Sequence, residues 1–408
     1  MVATVLYLIL YWIGEIKVLP SNENIIAWDA INYYNIQHQG YIDFQESTSN
    51  IPFFPLIGLV WRWLSLSPIG AVILNIFFFL SGFYLLHRQY KFSFQMLLLF
   101  LSIPSVFFLC VPYAEALFFL SSTFVILGLK KEKNWWVMLG LFIAGMTRPS
   151  ALFFLPAIFF MEIIALKELN FNVFRNTFLR ILCYVLAVLA GVFIVFAMQH
   201  EATGDWFAFF HQRDKNGMQI PSFPLTTWRG AKLLWLDGIA YMIGLSSFIY
   251  CGILGWKKFI SSKINIEIPP KPILFSLAFL TMTMIHILFF NAKDLYTNTS
   301  SLFGMNRFVF ATSFFVIVMA YYKDRLDFSK KINSRLYIGY FILILAMLGV
   351  FIPDNQPDHL RTIIYLLFIF LFIAYQKRFK YFWIFVVGVH LVTQVLLLDK
   401  FLQGIWVG

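Results

Sequence analysis

The chain has 408 residues, 60% of them hydrophobic and 12% charged, with a mean hydropathy of +0.77. A soluble domain carries about twice that charge, so an ordinary globular enzyme is excluded. The net charge of +11 would fit nucleic acid if the basic residues formed a patch. They lie instead in one alternating set of connections between apolar segments, which is a topology pattern.

The apolar blocks run over 1–14, 68–87, 92–110, 115–130, 134–147, 149–166, 179–199, 236–256, 272–291, 304–322, 336–352, 360–376 and 380–398. Most lie near the ~20 residues needed to span hydrocarbon. The expected fold is therefore an all-α integral membrane protein, a single polytopic domain over 1–408 with about 11–13 transmembrane helices. Residues 1–14 lack a basic n-region and a small-residue cleavage site, so they are read as a retained anchor. From an inside N-terminus, the even-numbered connections collect 20 of the 31 Lys and Arg, among them Arg88, Lys131, Arg175, Lys257 and Lys377. The odd-numbered connections collect acids, among them Asp29, Asp43, Glu46, Glu201, Asp205 and Asp358.

Two outward loops are long enough to hold chemistry, 15–67 and 200–235. The first has no Lys or Arg between Leu19 and Trp61. In it Asp29, beside Trp28, reads either as a general base for an acceptor hydroxyl or as the N-cap of a helix over DAINYYNIQ. LIGLVWRWLSL has helical spacing and is expected to lie in the membrane interface, with Trp61 and Trp63 at headgroup depth. Glu115 opens a helix, where the dipole favours a carboxylate; it either caps that helix or contacts substrate. Arg148 precedes the helix-breaking Pro149 and either forks onto a phosphate or satisfies free carbonyls. Arg307, beside Asn306, either snorkels to the surface or holds an anionic headgroup.

The second loop offers His211 and Arg213 for phosphate, although a plain solvated loop has the same composition. Cys110, Cys183 and Cys251 read as small buried hydrophobes. His38, His200 and His211 lack metal-ligand spacing relative to one another. Asn298-Thr299-Ser300 is a glycosylation sequon that matters only in a eukaryotic host. No Walker motif or GxGxxG cradle is present, so an outward-facing enzyme would need a substrate already activated on a lipid. The rival class is a transporter or flippase of lipid-linked sugars. Such proteins often show paired halves with broken midplane helices, and no repeat is visible here.

Four pieces in order, with a further one near residue 304, resemble the PIG-V-like mannosyltransferases. Trp28-Asp29-Ala30, then Gly40-Tyr41, then Phe53-Phe54-Pro55-Leu56 are similar to the family's WD…GY…FFPL signature. Pro112-Tyr113-Ala114-Glu115-Ala116-Leu117-Phe118 is similar to its YSE(S/A)LF segment, and Ala144-Gly145-Met146-Thr147-Arg148 to its TR segment. Thr203-Gly204-Asp205 is similar to its TGD run, and Gly304-Met305-Asn306-Arg307-Phe308 to its late R(Y/F) helix start. Asn32 stands where members often carry His or Trp, and Trp206 where Pro usually follows TGD.

The resemblance implies a GT-C-type bundle with outward-facing loop helices, using a polyprenyl- or dolichyl-phosphate sugar donor. It implies mannose as the sugar, Asp29 as the base, no metal or other cofactor, and an acceptor outside the cytoplasm such as a glycolipid. Donor- and substrate-binding candidates are Trp28, Tyr41, Glu115, Arg148, Asp205, His211, Arg213, Asn306 and Arg307. The expected partners are membrane lipids and these lipid-linked substrates, without nucleic acid. The expected location is a bacterial inner membrane with the site facing outward, or the ER membrane in a eukaryote.

Overall fold

The structure is a computed structural model that describes residues 2–42, 49–166, 170–215, 234–260, 267–290, 293–294, 299–300, 304–323 and 381–407. The expected spans 336–352 and 360–376 lie outside the described residues, as do Asp43, Glu46, Asp358, Lys377, Asn298 of the sequon and residues 216–233 of the second loop. Apart from one two-residue antiparallel pair (Lys293–Asp294 with Thr299–Ser300), the regular structure among the described residues is helical. Among the described residues four helices are long and apolar enough to cross a membrane: Pro68–Tyr90, Phe171–Thr203, Leu236–Phe259 and Trp383–Leu402. This is the layout of an all-α membrane protein.

Helix α1 spans Val2–Trp12, α2 Asp29–Gln39, α3 Leu56–Trp63, α4 Pro68–Tyr90 and α5 Phe94–Ser102. Then come α6 Glu115–Lys130, α7 Asn134–Thr147, α8 Phe154–Ala165, α9 Phe171–Thr203 and α10 Ala208–Lys215. The last described helices are α11 Leu234–Phe259, α12 Lys271–Phe290, α13 Met305–Phe310, α14 Ser313–Lys323 and α15 Phe382–Leu402. The apolar runs of the sequence match α6 and α7 at both ends. Among the described residues, 149–166 opens with a 3-10 turn over Pro149–Phe153, and two other expected spans are broken internally. Residues 92–110 form α5 and then a 3-10 turn from Pro104, because the proline forces Ile103 out of helical geometry (φ −53°, ψ 127°). Residues 304–322 split into α13 and α14 at Thr312, whose hydroxyl donates to the Val309 carbonyl at 2.8 Å and accepts from the Phe315 N–H.

The helices alternate in direction and gather two chemically distinct ends. At one end the last turns of α4, α6, α8 and α11 meet the first turns of α7, α9 and α12. Lys130 donates to the Gln89 carbonyl at 3.0 Å, and Lys258 contacts the Leu166 carbonyl. Glu162, 1% exposed, is held there by a two-pronged contact from Arg180 (2.8 and 2.6 Å) and by Lys271 (2.9 and 2.8 Å). At the opposite end the first turns of α6 and α11, the last turn of α7 and the whole of α13 converge beneath α2.

The α2–α3 pair sits on that second end. α2 buries Ala30, Tyr33, Ile36 and Gln37, a one-sided spacing. Arg62 of α3 donates to the Ile36 carbonyl at 3.2 Å, which also accepts the Gly40 N–H, and contacts the Gln37 carbonyl at the end of α2. Trp61 is buried and donates to the Leu66 carbonyl at 2.8 Å, whereas Trp63 is exposed. Packing α3 on α2 buries the whole indole, while its N–H is satisfied by the turn that follows α3.

Close helix approach sets the lateral packing. A Cβ on Gly191 of α9 would stand 2.4 Å from the Phe142 carbonyl oxygen of α7, and one on Gly145 would stand 2.7 Å from that of Val188. Only glycine fits on both sides of this contact. Gly191→Val should therefore lower stability by about 1–3 kcal/mol as α7 and α9 are forced apart. Thermal unfolding in detergent reads this, and an unchanged melting temperature would contradict the contact.

Candidate functional site

Helix α2 begins from a strained residue. Trp28 has φ 56°, a left-handed conformation that a bulky side chain rarely adopts, and its ring stands edge-on to Trp406 at 5.0 Å. That geometry places Asp29 as the first residue of α2. Trp28 is the cap, and the cap makes no side-chain hydrogen bond. The N-cap reading of Asp29 is thus replaced by a different partner: Asp29 Oδ2 accepts from Arg307 Nη2 at 2.8 Å.

Arg307 is the centre of the site. Its Nη2 also donates to Glu115 Oε1 at 2.6 Å, and its Nε reaches the same oxygen at 3.1 Å. Arg148 Nη1 stands 3.3 Å from that oxygen. Two carboxylates and two guanidiniums therefore form one charge-balanced cluster. Glu115 is sealed at 1% exposure, whereas the Asp29 side chain keeps 23%. Asp29 is the accessible edge of the cluster.

Neighbouring groups hold the cations in place. The Arg307 guanidinium lies over the rings of Phe108 (4.7 Å) and Tyr113 (4.8 Å), and that of Arg148 over Phe308 (4.9 Å) and Phe118 (5.8 Å). Arg307 is buried and directed into the bundle, so it does not snorkel to the surface. Glu115 is the first residue of α6 but does not cap it; the cap is Ala114, without a side-chain bond. Arg148 follows the last turn of α7 in extended conformation, as the residue before a proline should. Its charge goes to Glu115, not to the free helix carbonyls.

Asn306 connects the cluster to a residue that reading the sequence overlooked. Its backbone N–H and its Nδ2 both donate to Asp237 Oδ1 at 2.7 Å, and its Oδ1 accepts from Ser105 at 2.7 Å. Asp237 is 2% exposed. It fixes the start of α13 and, with it, the position of Arg307. The available signal was an acid in the first turn of an otherwise apolar helix, LWLDGIAY, where a buried charge demands a partner.

The remaining candidates lie outside this network. Tyr41 donates to the Phe53 carbonyl at 2.7 Å, while Asn50 bridges Gly40 and Ile42; both shape the loop that carries α2. Gln199 of α9 donates to the Ile51 carbonyl at 2.8 Å and ties that loop to the bundle. Asp205 pairs with His211 at 2.6 Å and accepts from the Phe207 N–H at 2.8 Å. These two contacts, the histidine first, hold its carboxyl below the usual range. Arg213 lies 5.7 Å over the Phe209 ring. His38 packs on Tyr34 and His200 on Trp206, so neither faces the cluster as a ligand. Among the described residues no group of three or more His, Cys, Asp or Glu is placed to hold a metal ion.

Chemically, the cluster offers one accessible carboxylate whose counter-ion is shared with a second, sealed carboxylate. If Asp29 gains a proton, Arg307 keeps Glu115 and is left with positive charge to spare beside the accessible edge. Comparison with family models, curated proteins and solved structures gives no match.

Removing the central cation should be costly. Arg307→Gln leaves buried Glu115 with Arg148 alone and is expected to lose about 3–5 kcal/mol of stability. The double variant E115Q/R307Q should lose less than the sum of its single changes, since it removes both charges together. Unfolding midpoints of the four proteins in detergent provide the cycle; strict additivity would refute the pair.

Proposed function

We propose that this chain is a membrane glycosyltransferase that moves mannose, or a related hexose, from a polyprenyl- or dolichyl-phosphate donor to a hydroxyl of an extracytoplasmic acceptor such as a glycolipid. The observation that carries this reading is Asp29, a partly exposed carboxylate bound through Arg307 to the sealed Glu115. It is supported by the ordered motifs that resemble those of the PIG-V-like mannosyltransferases, whose charged members are Asp29, Glu115, Arg148, Asp205 and Arg307; all but Asp205 meet in the cluster. Separation of this site from the Lys- and Arg-rich helix ends adds to it, because basic ends face the cytoplasm and the opposite ends do not.

In this reading Asp29 takes the proton of the acceptor hydroxyl as its oxygen attacks the anomeric carbon on the face opposite the phosphate. The bond between that carbon and the phosphate oxygen breaks, its electron pair stays on the phosphate, and configuration inverts. The leaving group gains one negative charge at the moment Asp29 loses one. Arg307, released from half of its load, is the group best placed to answer that charge, with Arg148 behind it. The apolar helices receive the lipid tail. Asp237 acts as a positioning residue through Asn306.

The test uses purified protein in lipid, radiolabelled polyprenyl-phosphate-mannose and a host lipid extract. Label should move to a new lipid with wild type, and Asp29→Asn should reduce this by ~10²–10⁴ while folding is retained. Retained turnover in D29N would remove Asp29 as base. Label that stays on the donor but crosses the bilayer would replace the enzyme with a transporter.

A further inference from the structure

The basic end of the bundle contains a cavity of about 280 Å³ between the last turns of α4 and α6 and the first turn of α7. It is lined by Leu85, Arg88, Gln89, Leu127, Lys131 and Trp136. The lining has two cations and no carboxylate. Arg88 and Lys131 are exposed, and Lys131 stands 5.0 Å over the Trp136 ring, which keeps its charge at the cavity wall. The Trp136 indole N–H is buried and has no acceptor among the described residues. A buried donor of this kind costs stability unless something accepts from it. The nearest acid along the chain, Glu132, lies in the exposed turn between α6 and α7 and is not part of the lining.

Two cations and an unused donor around a small cavity match a phosphate group, and Leu85 and Leu127 add an apolar wall to it. Its position at the ends of apolar helices is the depth at which lipid headgroups lie. We propose that this cavity binds the phosphate headgroup of an anionic phospholipid, with Arg88 and Lys131 on the phosphate oxygens and Trp136 donating through its indole N–H. The site lies at the opposite end of the bundle from Asp29 and does not depend on the catalytic reading.

The test measures lipid retention by the intact detergent-solubilised protein, using native mass spectrometry with phosphatidylglycerol, with phosphatidylcholine and with inorganic phosphate alone. Wild type should retain phosphatidylglycerol over phosphatidylcholine. R88Q/K131Q should lose roughly tenfold or more of that affinity, and Trp136→Phe, which keeps an aromatic ring but removes the N–H donor, should weaken it. The charge-matched control R175Q/K257Q should leave it unchanged. Equal retention of the two lipids, equal loss in the control, or binding of inorganic phosphate without phosphatidylglycerol would each overturn the proposal. Gel filtration of each variant separates loss of the site from loss of the fold.

Discussion

Four charges must be kept in a bundle that offers them little water, and the arrangement of this end of the protein follows from that requirement. Isolating any one of Asp29, Glu115, Arg148 or Arg307 would cost several kcal/mol in desolvation. Placing them together makes the cluster neutral and spends each charge on its neighbours. The segments that supply them are therefore drawn to one place: the start of α2, the start of α6, the end of α7 and the short helix α13. Aromatic rings cover the guanidinium faces, so the cations keep favourable contacts where water is absent. The Asp237–Asn306–Ser105 contacts do the same for the backbone, holding α13 where a continuous helix would have carried Arg307 elsewhere.

The cluster is asymmetric, and that asymmetry gives it a chemical direction. Glu115 is closed off by Arg307 and Arg148, whereas Asp29 retains access on one side. A proton delivered to the open carboxylate changes the charge seen at the accessible edge without unpairing the sealed one. In the proposed transfer, the compensating cation would thus already be in place when charge develops on the leaving group.

Much of the fold was legible because hydrophobic length and charge are local properties. The runs 115–130 and 134–147 coincide with α6 and α7, and DAINYYNIQ forms α2 as its spacing allows. The misreadings are equally physical. Averaged over 92–110 and 304–322, hydropathy hides Pro104 and Thr312, each of which ends a helix by changing its hydrogen bonding. Helical spacing and residue type place Trp61 on an apolar face, yet its burial depends on where α2 lies. Of the candidate site residues, Asp29, Glu115, Arg148, Asn306 and Arg307 come together, while Tyr41, Asp205, His211 and Arg213 serve other local contacts.

By itself, then, the sequence determined that the chain is helical and membrane-length in its apolar blocks, and that its basic residues collect in one set of connections. These follow from composition within about twenty residues. Only the tertiary structure decided that Arg307 would hold Asp29, 278 residues away, and Glu115, 192 residues away. It also decided that Asp237 would anchor Asn306. Pairing across such distances depends on which helix ends meet, and that is set by how whole helices pack, not by any local pattern.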